Sequence, residues 1–268
     1  GKLTVTARRD PFSITLKASE GEVLYDGNSH TVSGFETLDF VFEDVRFTVE
    51  GVSASVTAVN AGFYAVNITG TAIVRDAYGN DVTDQFDISR ESGSLQILKR
   101  SVRIRSFSDE KEFDGSVLKA EEVEISGDGF AADESVDIFY QGAQYTVGSS
   151  LNSFTYADNG TADLKNYEIE TEFGTLTVTH REQPYEIELQ TNTAEYLYDG
   201  TQKEVSGFVT AEAVVGGHHY YVSGSEAYVS ATDAGTYQLT LSGEAHVYDA
   251  DGNDVTSEFT VTTEVRDL

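Results

Sequence analysis

The chain has 268 residues, of which 46 are acidic and 17 basic, so its formal net charge is −29. This charge excludes general nucleic-acid binding, which needs a positive field, and leaves two interpretations, solubility of an exposed protein or cation binding. The absence of cysteine excludes disulfides, zinc–thiolate sites and thiol catalysis, and no apolar run approaches the roughly 18 residues of a membrane-spanning helix.

The first eight residues carry a pattern that returns twice along the chain. It is Gly-x-Leu-x-(Val/Ile)-x-x-Arg, and it occurs at residues 1–8, 93–100 and 174–181. The alternation and the leading glycine predict a strand introduced by a turn. Because the second and third copies each close a repeat, we interpret residues 1–8 as the closing strand of a preceding repeat.

Between these strands the chain repeats itself. Residues 9–95 match residues 182–268 without a gap, so that Tyr25-Asp26-Gly27 falls on Tyr198-Asp199-Gly200. Fixed-period repetition is typical of arrays that position or bind other molecules rather than catalyse. We therefore predict three domains: repeat A (9–100), repeat B (101–181) and repeat A′ (182–268), the last of which stops partway through its closing strand. This arrangement predicts a fragment of a longer array.

Strands are predicted almost throughout by apolar residues at every second position. Such alternation, rich in β-branched and aromatic residues, is typical of half-buried antiparallel strands. The pairs that show it most clearly are Ile14 and Leu16, Val102 and Ile104, and Ile187 and Leu189.

Two kinds of turn are predicted between the strands. The Asp-Gly pairs within residues 25–27, 113–115 and 198–200 predict tight hairpins. Single helical turns are predicted within residues 82–86, 163–167 and 255–259, each capped by a hydroxyl or carboxylate and placing an aromatic residue on the core.

A short motif indicates the fold of each repeat. Asn60-Ala61-Gly62-Phe63-Tyr64 and Asp233-Ala234-Gly235-Thr236-Tyr237 resemble the corner of immunoglobulin-like sandwiches, where a tyrosine hydroxyl returns to the backbone. The predicted fold is therefore all-β, an elongated tandem array of three immunoglobulin-like β-sandwich repeats. Repeat B lacks the motif, and a β-grasp-like unit is the alternative.

An acidic turn in repeat A′ is a candidate calcium site. Asp249, Asp251, Asn253 and Asp254 place oxygen ligands at close spacing around a glycine, as calcium loops do. Repeat A has Tyr78 where A′ has Asp251. The alternative is an ordinary hairpin tip, in which the same residue types serve the backbone. No other cofactor is predicted.

A second candidate is the stretch His218, His219, Tyr220 and Tyr221, which follows two glycines. Tyrosine rings could stack on a sugar or a peptide. Adjacent histidines in a strand point to opposite faces and chelate one metal poorly. Tyr220 is equivalent to Phe47, which favours a core position as the alternative. A third candidate, an isopeptide crosslink between Lys17 and Asn67, is opposed by the ordinary solvation of strand lysines.

Taken in order, these motifs resemble the YDG/MBG-type repeats of large bacterial surface proteins, which are mostly β and rich in glycine. The resemblance rests on the three (Tyr/Phe)-Asp-Gly turns, Gly-Asn-Asp-Val-Thr before Phe86 and Phe259, Asn166-Tyr167-Glu168-Ile169, and the closing Gly-x-Leu-x-(Val/Ile). It covers essentially the entire chain. It implies a cell-surface or secreted location, an adhesin-like or spacer role, and no catalytic residues.

The sequence therefore predicts a non-catalytic segment of a bacterial cell-surface adhesin or stalk, wall-attached or secreted. No Ser–His–Asp order recurs and no phosphate-binding loop is present, which opposes an enzyme. The expected partners are a host or matrix protein or a glycan, with neither nucleic acid nor membrane insertion, and the segment is expected to be monomeric within a longer chain. The alternative is a carbohydrate-binding accessory module of an extracellular polysaccharide-active enzyme.

Overall fold

The computed structural model describes residues 1–6 and 8–266. Strands make up 57% of the chain, and no α-helix occurs among the described residues, so the predicted all-β class is confirmed. The three predicted helical turns are confirmed as short 3₁₀ turns at Thr83–Gln85, Leu164–Asn166 and Thr256–Glu258. The predicted side-chain cap forms only at the second turn, where Asp163 accepts from the Lys165 N–H; the first and third turns begin at Val82 and Val255, so the prediction of a cap is wrong there. The aromatic residue after each turn, Phe86, Tyr167 or Phe259, is buried.

Residues 12–98 form nine strands in three sheets. Strand β1 pairs with β8, β9 lies between β2 and β6, and β5 pairs with β3, β4 and β7. The strands are β1 (Phe12–Lys17), β2 (Gly21–Leu24), β3 (His30–Ser33), β4 (Asp39–Phe42), β5 (Val45–Ala58), β6 (Gly62–Val66), β7 (Ile68–Arg75), β8 (Phe86–Glu91) and β9 (Gly93–Leu98).

The predicted alternation of β1 is confirmed, but its predicted antiparallel pairing is wrong. Ile14 and Leu16 are buried and their neighbours are not, as period two requires. Strand β1 runs parallel to β8, with Ile14 opposite Ile88. Parallel neighbours need a long crossover connection, and the intervening strands of the repeat supply it.

Residues 100–179 form eight strands in three sheets. Their orders are β12-β10-β16, β11-β17-β14 and β13-β15. Like β9, β17 is the middle strand of three. The strands are β10 (Arg100–Ser106), β11 (Asp109–Glu112), β12 (Val123–Gly127), β13 (Val136–Tyr140), β14 (Gly148–Asn152), β15 (Phe154–Asp158), β16 (Tyr167–Glu172) and β17 (Gly174–Thr179).

Residues 185–264 reproduce most strands of repeat A at equivalent positions. The strands are β18 (Tyr185–Gln190), β19 (Lys203–Ser206), β20 (Glu212–Val215), β21 (His218–Ala231), β22 (Thr240–Asp249) and β23 (Phe259–Glu264). Strand β18 pairs in parallel with β23, and β21 pairs with β19, β20 and β22. Residues 192–202 and 232–239, which include the equivalents of β2 and β6, belong to no strand.

The tyrosine corners form as the motif predicts. The Tyr64 hydroxyl donates to the Asn60 carbonyl at 3.0 Å, and the Tyr237 hydroxyl donates to the Asp233 carbonyl at 3.2 Å. The hairpin prediction for the Asp-Gly pairs is wrong, because Tyr25-Asp26-Gly27 connects β2 to β3, which lie in different sheets. Gly27 has a φ of 80°, which glycine adopts without steric cost.

The contacts divide the chain into two compact units. One contains Gly1–Ile104, Ile125–Asp137 and Tyr156–Thr171, and the other contains Arg105–Glu124, Ile138–Thr155 and Glu172–Leu268. Each unit thus combines an A-type repeat with part of residues 101–181. The repeat boundaries at residues 100 and 181 stay a prediction.

Candidate functional site

An arginine clamp fixes the entry of repeat A. The Arg8 guanidinium carbon lies 3.9 Å from the centre of the Phe12 ring, and Arg8 Nε donates to the Asp10 carbonyl at 3.3 Å. The Arg8 backbone N–H donates to Gln85 Oε1 at 2.8 Å. Gln85 is the last residue of the 3₁₀ turn that directly precedes β8, and β8 is the partner strand of β1. The clamp therefore ties the segment before β1 to the strand pair that β1 enters.

The same clamp returns at the entry of repeat A′. The Arg181 guanidinium carbon lies 4.0 Å from the centre of the Tyr185 ring, and Arg181 Nε donates to the Gln183 carbonyl at 2.9 Å. Its backbone N–H donates to Glu258 Oε2 at 2.9 Å, and its Nη1 donates to the Phe113 carbonyl at 3.0 Å. Arg181 thus also holds the (Tyr/Phe)-Asp-Gly turn of repeat B.

Glu258 is a buried carboxylate at the centre of this clamp. It is only 1% exposed, and it accepts from Arg181 N–H, from Ser257 Oγ at 2.8 Å and from His180 Nδ1 at 2.5 Å. Burial alone would raise the pKa of Glu258, but these three hydrogen bonds outweigh it and lower the pKa below its ordinary value. These donors stabilise the negative charge, so Glu258 has a structural role at this position.

Apolar packing continues across the entry of A′. Leu176 and Val178 of β17 belong to the same buried cluster as Ile187 of β18 and Phe259 of β23. Gly115, with a φ of 83°, lies against Tyr220, and a Cβ at this glycine would lie 2.2 Å from the Tyr220 hydroxyl oxygen. Only glycine therefore lets the turn approach the core of A′ so closely.

A different arginine contact follows β9. Arg100 Nε donates to the Gly129 carbonyl at 2.7 Å, and its Nη1 donates to the Tyr25 carbonyl at 3.1 Å. Its Nη2 donates to the Asp128 carbonyl. Arg100 therefore binds the first (Tyr/Phe)-Asp-Gly turn, as Arg181 binds the second.

Two buried tyrosines share one carboxylate beside Arg100. The Tyr25 hydroxyl donates to Glu134 Oε1 at 2.7 Å, and the Tyr167 hydroxyl donates to Glu134 Oε2. Burial, followed by the bond to Glu134, raises the pKa of Tyr25 to about 12 and raises that of Tyr167 as well. Asn166, also buried, accepts from the Ala61 backbone N–H at 2.8 Å. The sequence motif Asn166-Tyr167 is thus used for packing and hydrogen bonding within this unit.

The aspartate of each (Tyr/Phe)-Asp-Gly turn accepts from the backbone two residues later and pairs with a nearby basic side chain. The backbone bonds measure 2.8 Å for Asp26, 2.8 Å for Asp114 and 2.9 Å for Asp199. The basic partners are His30, Lys111 and Lys203, respectively. The Asn28 N–H is the main reason that the pKa of Asp26 falls to about 2. These turns are recurring structural elements of the chain.

The calcium candidates lie at the end of β22 and in the turn that follows it, where backbone N–H groups bind the carboxylates of Asp249 and Asp254. Asp249 Oδ1 accepts from the N–H groups of Asp251 and Asn253 at 2.9 and 2.8 Å, and Asp254 accepts from Thr256. Asp76 makes equivalent bonds in repeat A. Within the described ranges, no group of three or more histidine or acidic side chains is placed to hold a metal ion. Calcium binding stays a prediction.

The His218–Tyr221 candidates do not share one surface. They begin β21, so successive side chains alternate between two faces. Tyr220 lies in the core and His218 is half-buried, whereas His219 is exposed and Tyr221 is 43% exposed. Only His219 and Tyr221 are placed to meet a ligand on the outer face. The Lys17 ammonium of the crosslink candidate pairs with Glu36 at 2.8 Å.

An open cleft in repeat A′ was not predicted from the sequence. It has a volume of about 770 Å³ and lies between residues 194–205 and residues 229–237. Tyr196, Leu197 and Tyr237 are exposed along it, and Val205 and Val229 are half-buried within it. We call it the A′ cleft. The signal that could have revealed it is the partial closing pattern of A′, since β9 fills the equivalent position in repeat A.

Within residues 1–6 and 8–266, no helix has the length and apolar character needed to cross a membrane. Comparison with models of known protein families gives no match, and comparison with curated protein sequences finds no significant match either.

Proposed function

We propose that this chain is a non-catalytic segment of a bacterial cell-surface adhesin or stalk, built from three immunoglobulin-like repeats in tandem. The observation that carries the proposal is the arginine clamp, which recurs with the same geometry at Arg8 and at Arg181. Each clamp holds the segment that enters an A-type repeat against that repeat, and we expect such stiff entry segments in a projecting stalk.

The use of polar side chains supports a structural role. Glu258, Glu134 and Asn166 are each engaged by donors from the protein itself. Catalytic groups, in contrast, need a face that a substrate can reach. The net charge of −29 also suits a protein exposed to solvent, since strong like charge opposes association and precipitation.

The experiment is protease shaving of the intact source bacterium, followed by detection with antibodies against this chain. A cell-surface segment is expected to be lost from intact cells while a cytoplasmic marker protein is retained. Protection of the chain until the cells are lysed contradicts the surface location. The flanking sequence gives a second test, because further repeats beside a wall-anchor signal support the stalk and an adjoining glycosidase domain opposes it.

One observation favours the alternative of a carbohydrate-binding module. Tyr221 lies directly opposite Tyr248 on the outer face of β21 and β22, and His219 precedes it on the same face. Repeat A has Thr48 and Arg75 at the positions of the two tyrosines. Paired aromatic rings give a platform on which a sugar ring could stack.

Affinity electrophoresis in gels that contain soluble polysaccharides tests this alternative. If the platform binds a glycan, the chain is retarded and the Tyr221→Thr variant, which restores the residue of repeat A, is not. If neither protein is retarded in any of the polysaccharides, the carbohydrate-binding alternative is contradicted and the stalk remains the proposal.

A further inference from the structure

In repeat A, ion pairs cover the outer face of the sheet built on β5. Asp39, Thr48 and Arg75 lie opposite one another in a row across β4, β5 and β7. The Arg46 guanidinium pairs with the Asp39 carboxylate at 2.8 Å, and the Thr48 hydroxyl donates to the same carboxylate at 2.9 Å. Arg75 pairs with Glu50 at 2.5 Å. Repeat A therefore supplies its own cations to the carboxylates of this face.

In repeat A′ the same row keeps its carboxylate but lacks these cations. Glu212, Tyr221 and Tyr248 lie opposite one another across β20, β21 and β22. We call them the Glu212 row. His219 stands where repeat A has the arginine that binds the carboxylate. Within residues 1–6 and 8–266, no basic side chain forms an ion pair with Glu212. The row thus carries a negative charge whose cationic partner is missing.

The row is open to a ligand from solvent. Glu212 and Tyr221 are exposed, and Tyr248 is half-buried. Neighbouring strands lie about 4.7–4.9 Å apart, so the row spans roughly 10 Å from the carboxylate to the second ring. An extended ligand can therefore contact the carboxylate and an aromatic ring at the same time.

The chemistry of the row favours a ligand that combines a cation with an apolar ring face. A carboxylate accepts short, strong hydrogen bonds from an ammonium group. A tyrosine ring attracts a nearby cation through its electron-rich face and packs against apolar surface. A sugar that carries a protonated amine offers all of these contacts within one residue.

We propose that the Glu212 row binds an amino sugar with a free, protonated amine, as part of an oligosaccharide. The ammonium group takes the place that the Arg46 guanidinium has in repeat A, beside the carboxylate of Glu212. The ring of the same sugar stacks on Tyr221, and the next sugar of the chain contacts Tyr248. The inference rests on the glycan-binding face proposed above, and it holds for an adhesin as well as for an accessory module.

Charge distinguishes this ligand from other glycans. A uronic acid or a sulfated sugar would place a second negative charge beside Glu212, and like charges repel. The net charge of −29 adds to that repulsion. A neutral sugar would leave the carboxylate without a counter-charge. A lysine side chain of a protein has the ammonium group but no ring to stack on Tyr221.

Calorimetric titration of the whole chain with two oligosaccharides of equal length tests the proposal. One is built from glucosamine and the other from N-acetylglucosamine, so acetylation removes the charge and keeps the sugar ring. The glucosamine oligosaccharide is expected to bind about tenfold more tightly or better, because only it forms the charge-assisted bond to Glu212. Physiological ionic strength screens the general attraction between an acidic chain and a cationic ligand.

Three variants and one matched control locate the binding. Glu212→Gln removes the charge, and His219→Arg gives A′ the arginine of repeat A, which then occupies the carboxylate. Each is expected to weaken glucosamine binding by about tenfold. Tyr221→Thr removes the stacking ring and weakens binding of both oligosaccharides. Glu186→Gln removes one exposed charge from β18 of the same repeat and should leave the affinity unchanged. Circular dichroism checks that each variant is folded.

Tighter binding of the glucosamine oligosaccharide, lost in Glu212→Gln and in His219→Arg but not in Glu186→Gln, supports the proposal. Equal losses in Glu212→Gln and Glu186→Gln show a general charge attraction and overturn it. A lysine peptide of equal charge that binds as tightly and depends on Glu212 makes the amino sugar wrong. Equal binding of both oligosaccharides that is lost only in Tyr221→Thr contradicts the amino sugar and keeps the glycan-binding face, whereas binding of neither contradicts both.

Discussion

Repeats A and A′ share a sequence pattern without gaps, yet within residues 1–6 and 8–266 a complete closing sheet is present only in repeat A. In repeat A, β9 lies between β2 and β6. In repeat A′, the residues equivalent to β2 and β6 remain outside any strand and border an open cleft. The remaining strands of A′, from β18 to β23, form without the closing sheet. The difference indicates that β2 and β6 form strands only beside β9, whereas the sheet built on the long strand β5 or β21 forms independently of β9.

The largest expected effect comes from the leucine of the closing pattern, which occurs in three environments. Leu95→Ala and Leu176→Ala each remove a side chain buried to 1% exposure or less, so each should lower the free energy of unfolding by about 2–5 kcal/mol. Leu3→Ala removes a side chain that is 90% exposed and should change this free energy by less than about 0.5 kcal/mol. Urea denaturation followed by circular dichroism measures all three. A large loss at Leu3 would show that residues 1–6 pack against their own chain.

The glycine of the closing pattern gives a second test of this difference. A Cβ at Gly93 would lie 2.0 Å from the Ser19 carbonyl oxygen, whereas a Cβ at Gly1 meets nothing within 4 Å. Gly93→Ala must therefore displace backbone, and we expect it to destabilise the chain by about 1–3 kcal/mol. Gly1→Ala should leave the stability unchanged. Hydrogen exchange of the β2, β6 and β9 amides provides the local measurement, and unchanged protection in Gly93→Ala would contradict the close approach.

The clamp residues differ between the repeats, because Glu258 in A′ replaces Gln85 in A. In Glu258→Gln, the side chain can still accept a hydrogen bond from the Arg181 N–H. It lacks the negative charge that strengthens the hydrogen bond from the His180 ring. We expect a loss of about 1–2 kcal/mol near neutral pH. Since folding lowers the pKa of Glu258 from its ordinary 4.5, the stabilisation is present above that value and is lost as the pH falls through the lowered pKa.

Denaturation midpoints of the wild-type chain and the Glu258→Gln variant, measured from pH 7 down to pH 2, check this prediction. The two curves should converge in acid. Gln85→Asn, which shortens the acceptor at the equivalent position without changing charge, is the control and should show a difference that does not vary with pH. A constant gap between the wild-type chain and Glu258→Gln would show that the charge does not contribute.

The core of A′ differs from that of A at Tyr220, which stands where A has Phe47. The Tyr220 hydroxyl is buried and has no hydrogen-bond partner among the described residues. An unpaired buried hydroxyl costs free energy, so Tyr220→Phe should stabilise the chain, by about 1 kcal/mol. The converse change, Phe47→Tyr in repeat A, should destabilise it. Thermal unfolding of both variants gives the comparison, and a clear loss of stability in Tyr220→Phe would indicate a partner for this hydroxyl.

Local features of the fold were accessible from the sequence, and pairings between distant strands were not. The alternation at Ile14 and Leu16, the 3₁₀ turns and the Tyr64 corner depend on neighbouring residues, and the structure confirms them. The parallel pairing of β1 with β8 was missed, because alternation shows which face is buried but does not name the partner strand.

For the candidate sites, too, local features could be predicted from the sequence and contacts between distant residues could not. The strand alternation at residues 218–221 indicated that the adjacent His218 and His219 would point to opposite faces, and the equivalence of Tyr220 to Phe47 indicated its core position. The acceptor roles of Gln85 and Glu258 were missed, since each lies 77 residues from the arginine that it binds. The A′ cleft was missed, because the sequence pattern does not show that the segments equivalent to β2 and β6 need a strand such as β9 between them.

The smallest effect is expected for calcium at the acidic turn of A′. Asp249 and Asp254 already accept hydrogen bonds from the backbone of Asp251, Asn253 and Thr256, as the equivalent residues do in repeat A. These bonds stabilise the carboxylates without a cation, so we expect the same melting temperature in calcium and in chelator. Bound calcium would instead add RT ln(1 + [L]/Kd), about 2.7 kcal/mol at a hundredfold excess over Kd. Asp251→Tyr, which gives A′ the residue of repeat A, is the matched control. A rise in melting temperature with calcium that disappears in Asp251→Tyr would show that the two turns differ in function despite their shared hydrogen bonds.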